Sequence, residues 1–76
     1  MVAILNYVQD QSVFEPEAVR SMAQAFDQAC NELHIFAGDE HGRRVIATRI
    51  IDLARGGILD AAALRDRVLM EARAAA

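Results

Sequence analysis

Residues 16–33 read Pro-Glu-Ala-Val-Arg-Ser-Met-Ala-Gln-Ala-Phe-Asp-Gln-Ala-Cys-Asn-Glu-Leu, and their spacing decides the fold. Val19, Met22, Ala23, Phe26, Ala29, Cys30 and Leu33 recur at intervals of three and four. At 100° per residue they cover an arc of about 120°, which is the apolar stripe of an amphipathic helix. Arg20, Gln24, Asp27, Gln28 and Asn31 fall outside it. The start is marked as well. Pro16 suits the first helical position, where its missing N–H would have had no intrahelical partner. Glu15 takes the cap position, and Glu15 and Glu17 set negative charge against the positive end of the helix dipole. Phe14 and Val19 then occupy the two staple positions that fix the entry angle of the chain.

Working outward toward the C-terminus, Gly38, Asp39 and Gly42 break the pattern. Asp39 predicts the cap of a second helix, whose first turn carries Glu40, Arg43 and Arg44 at pairing distances. Ile46, Ala47, Ile50, Ile51, Leu53 and Ala54 span about 160°, wide enough to touch two neighbours, so this reads as the central helix. Gly56 and Gly57 end it, because glycine enters the left-handed cap conformation at no steric cost. Asp60 caps a third helix, with Leu59 and Leu64 at the staple positions and Leu64, Val68, Leu69 and Ala72 facing inward. Met70 points away. The expected class is all-α: a three-helix domain over 14–72 with a tail at 73–76 that frays for want of anything to bury.

Working back toward the N-terminus, residues 1–13 form an extension with two readings. Met1, Ile4, Leu5 and Val8 fit a helical period, yet the run Val-Ala-Ile-Leu-Asn-Tyr-Val also reads as a short buried strand. No other segment offers a strand partner. An extended segment would therefore pair with its own counterpart in a second chain, since unpaired backbone groups are costly to bury.

Composition narrows the function classes. A chain of 76 residues holds one domain. It hides only about 60–65% of its unfolded surface, so small domains commonly lean on disulfides, metals or partners. The single cysteine, Cys30, excludes an intrachain disulfide and points to a reducing compartment. Hydrophobic residues make up 54% of the chain while aromatics make up 5%, so aliphatic side chains supply the apolar material. The net charge of −3, with eight arginines and no lysine against eleven acids, argues against nonspecific nucleic-acid binding. No run reaches the ~18–20 apolar residues of a membrane span. Residues 1–8 lack the basic flank of a signal peptide, so cytoplasm is the expected location.

Each candidate for chemistry has a structural reading beside it. Cys30 and His34 lie four apart, on one side of the first helix, and with Asp39 and His41 could ligate a metal in a sensor. Cys30, however, falls within the apolar arc, where free cysteine behaves as a small hydrophobe, and no CxxC, HxxxH or HExxH spacing is present. The densest polar cluster is Asp39, Glu40, His41, Arg43 and Arg44. Two arginines near a helix N-terminus make it a candidate anion or partner site, whereas its acids oppose a phosphate and favour a capped, solvated helix start. The second and third helices, joined through Gly56, have the outline of a DNA-binding helix-turn-helix. But Ala61, Ala62 and Ala63 stand where base-reading side chains belong, and Asp60 would face phosphate. Neither a glycine-rich phosphate loop nor a matched pair of carboxylates is present, so no catalysis, cofactor or metal is expected.

The run Phe14-Glu-Pro-Glu-Ala-Val, then Ala25-Phe26-Asp27, then Val45-Ile46-Ala47-Thr48-Arg49-Ile50-Ile51-Asp52-Leu53-Ala54-Arg55-Gly56, resembles small uncharacterised helical proteins of GC-rich alpha-type proteobacteria. Their Ala-x-x-Ile-Ile-x-x-Ala-x-x-Gly core falls on Ala47, Ile50, Ile51, Ala54 and, with one residue fewer, Gly56. The resemblance covers residues 14–69 and implies a helical fold without an activity. The residues themselves point to a non-catalytic interaction module that forms a homodimer, with Ile4, Leu5, Val8, Ile50 and Ile51 as its candidate interface. A small DNA-binding regulator and a metal-binding sensor are the alternatives.

Overall fold

A computed structural model of the chain describes residues 14–75. Among the described residues it contains three helices: α1 (Pro16–Glu32), α2 (Glu40–Arg55) and α3 (Ala61–Ala75). Every pair of helices packs together, α1 with α3 most extensively.

The N-terminal signals act as read. Glu15 occupies the α1 cap position with Pro16 at the first helical position, although the Glu15 side chain makes no capping hydrogen bond. Asp39 caps α2 by accepting from the Gly42 N–H at 3.0 Å. Asp60 does the same for α3 through the Ala63 N–H, also at 3.0 Å. Each cap satisfies one of the amides that a helix start leaves without a partner.

The two interhelical breaks share one device. At the end of α1, the Ile35 N–H donates to the Cys30 carbonyl at 2.9 Å and the His34 N–H to the Asn31 carbonyl at 3.2 Å. At the end of α2, the Ile58 N–H donates to the Leu53 carbonyl and the Gly57 N–H to the Ala54 carbonyl. Both are Schellman motifs, in which a left-handed residue reverses the chain and the next residue returns to the helix. The left-handed position is Gly57 in one, with φ of 105°, and His34 in the other, with φ of 57°. The returning residues, Ile35 and Ile58, both pack against the core. Gly42 is needed where that return meets α2. A Cβ there would sit 2.6 Å from the Asp39 Oδ2 and 3.2 Å from the Ile35 Cγ2, displacing the cap.

The core is apolar throughout. Phe26, Met22, Ile50, Leu64 and Val68 are its largest fully buried side chains, and no polar or charged residue is buried with them among the described residues. Two corrections to the sequence reading follow. α1 contributes more of the core than α2, because Ala18 and Ala25 join Met22, Ala23, Phe26, Ala29 and Cys30 and widen its buried arc to about 160°. Ala18 and Ala25 carry so little apolar surface that a stripe weighted by bulk passes them over. α3 also stays helical through Ala75, past the expected boundary at Ala72. Alanine is the strongest helix former, and no breaker interrupts the run.

Ile50 and Ile51 require a third correction. Expected at an interface, they lie inside the fold at 0% and 7% exposure. The wide apolar arc of α2 touches two neighbours, as its width implies, but both neighbours are helices of the same chain.

The shared Schellman geometry yields opposite outcomes for two substitutions. His34→Gly should raise stability by roughly 0.5–1 kcal/mol, because glycine relieves the left-handed strain by more than it adds unfolded-state entropy. Gly57→Ala should lower it by about 1 kcal/mol, since φ of 105° suits only glycine and no neighbour contributes a clash. Urea unfolding of the two variants against wild type measures both.

Candidate functional site

The polar cluster at residues 39–44 does not assemble into one site. The Asp39 carboxylate already occupies the amide end of α2, where a bound anion would have to sit. Arg43 turns inward, its guanidinium carbon 4.9 Å from the centroid of the fully buried Phe26 ring. Its cation lies over the face of the ring and covers the core edge, a cation–π contact. Glu40, His41 and Arg44 are exposed. The segment is a capped helix start with one arginine packed over the core edge.

Cys30 and His34 separate in the same way. Cys30 is buried at 3% exposure, and burial pushes its thiol above the ordinary value, with Arg43 acting in the opposite direction. Such a thiol stays protonated and is a poor metal ligand or nucleophile at neutral pH. His34 is exposed at the left-handed turn after α1, where its backbone conformation is what the fold uses. Among the described residues, no group of three or more His, Cys, Asp or Glu side chains is placed to hold a metal ion.

Polar links tie the helices on their outer sides, among them a long ion pair between Arg73 of α3 and Glu32 of α1 at 3.9 Å. Arg49 of α2 and Glu71 of α3 pair through two parallel bonds, at 2.5 Å and 2.8 Å. Arg65 of α3 donates to the Gln28 side chain of α1 at 3.1 Å and also to Asp66. The two-bonded arginine–carboxylate geometry is the strongest form of an exposed pair. It holds the Glu71 carboxyl below its ordinary range, chiefly through the Arg49 hydrogen bonds.

Clefts also open on the surface between the helices. One, of about 500 Å³, runs between α1 and α3 past Gln28, Glu32, Arg65, Asp66 and Arg73, with its charges of opposite sign intermixed. Another, of about 490 Å³, opens between the start of α1 and the end of α2. Phe14, Ala18, Ala54 and Leu59 give it an apolar floor and wall, while Glu15, Glu17, Ser21 and Arg55 surround them. Leu59 is 46% exposed there. Local spacing assigns Phe14 and Leu59 to separate staples. Their meeting in one cleft depends on how the helix ends are brought together, which local spacing does not encode.

Of the expected interface residues, Ile4, Leu5 and Val8 lie outside the described residues. The chain that carries them enters the fold at Phe14, on the wall of this cleft. No helix among the described residues is long and apolar enough to cross a membrane. No known family model, curated protein or solved structure matches the chain.

The Arg49–Glu71 pair sets a pH dependence. A carboxyl whose folded pKa is depressed adds stability above its unfolded value, near 4.5, and loses it as pH falls through the folded value. Wild type should therefore exceed Glu71→Gln in stability at neutral pH, with the difference closing in acid and shrinking in high salt. Urea midpoints for both proteins across that pH range test it.

Proposed function

We propose that the chain is a non-catalytic protein-interaction module whose partner is a second copy of itself. The observation that supports this reading is the cleft lined by Phe14, Ala18, Ala54 and Leu59 at the point where an apolar N-terminal segment joins the helices. Apolar side chains left in a surface cleft rimmed by charge are a common mark of a protein contact surface. Ile4, Leu5 and Val8 add apolar side chains within the first eight residues, where no side chain is charged. With Ile50 and Ile51 spent on the intramolecular core, the segment and the cleft are the surface proposed for pairing, and Phe36, Val45 and Met70 are exposed elsewhere on the helices and their connections.

Closed two-fold pairing is the commonest arrangement for identical chains and uses the same patch on both. It would also relieve the marginal stability of so small a domain by adding buried apolar area. A cytoplasmic location belongs to the same reading, since one unpaired cysteine suits a reducing compartment.

Sedimentation equilibrium of the full chain from micromolar to millimolar concentration tests the proposal. Wild type should sediment as a dimer, and Leu5→Asp should shift it to monomer by forcing a charge into the contact. A wild-type monomer throughout that range would refute self-association.

A further inference from the structure

We draw no further inference here: the strongest candidate, the apolar cleft between the start of α1 and the end of α2 lined by Phe14, Ala18, Ala54 and Leu59, carries none because nothing in the structure shows what covers it.

Discussion

The packing of α2 and α3 against a single alanine-rich surface of α1 is the constraint on which the fold depends. Ala18, Ala23, Ala25 and Ala29 are all buried, and they surround Met22 and Phe26, which are fully enclosed. Small side chains let helix axes approach closely, and the two large residues then fill the space between neighbours at interior density. Ile50 and Ala47 of α2, with Leu64 and Val68 of α3, complete the same cluster. That core closes within one chain and leaves Phe36, Val45, Leu59 and Met70 as the large exposed hydrophobic side chains among the described residues.

Much of this was legible in the sequence, for reasons that can be stated residue by residue. Pro16, Asp39 and Asp60 mark helix starts because the missing donor or the side-chain acceptor answers a need of the first turn, which is a local matter. Gly57 marks an ending for an equally local reason. The matching ending at His34 was not legible, since a histidine in the left-handed region has no distinctive spacing and is held there by the Schellman bonds around it. The prominence of α1 was also hidden. Alanine contributes little to an apolar count, yet its value here lies in how near it lets another helix come.

The candidate sites divide along the same line. Asp39 as a cap could be read from its place before Glu40, whereas Arg43 lying over Phe26 joins residues seventeen apart across two helices and a turn. Ile50 and Ile51 looked like surface to spare because an apolar arc reports its width and not the identity of what covers it. Two helices of the same chain cover it. The cleft at Phe14 and Leu59 is the converse case, where two residues assigned separate local duties share one exposed hollow.

The helical core closes within a single chain, so that the proposed pairing would add to a finished fold instead of creating it. The direct measurement is the thermal unfolding midpoint of residues 12–76 alone, taken over a hundredfold range of protein concentration. A helical monomer with a cooperative transition whose midpoint does not move with concentration is the predicted result. A midpoint that climbs with concentration, or a fragment without cooperative unfolding, would contradict it.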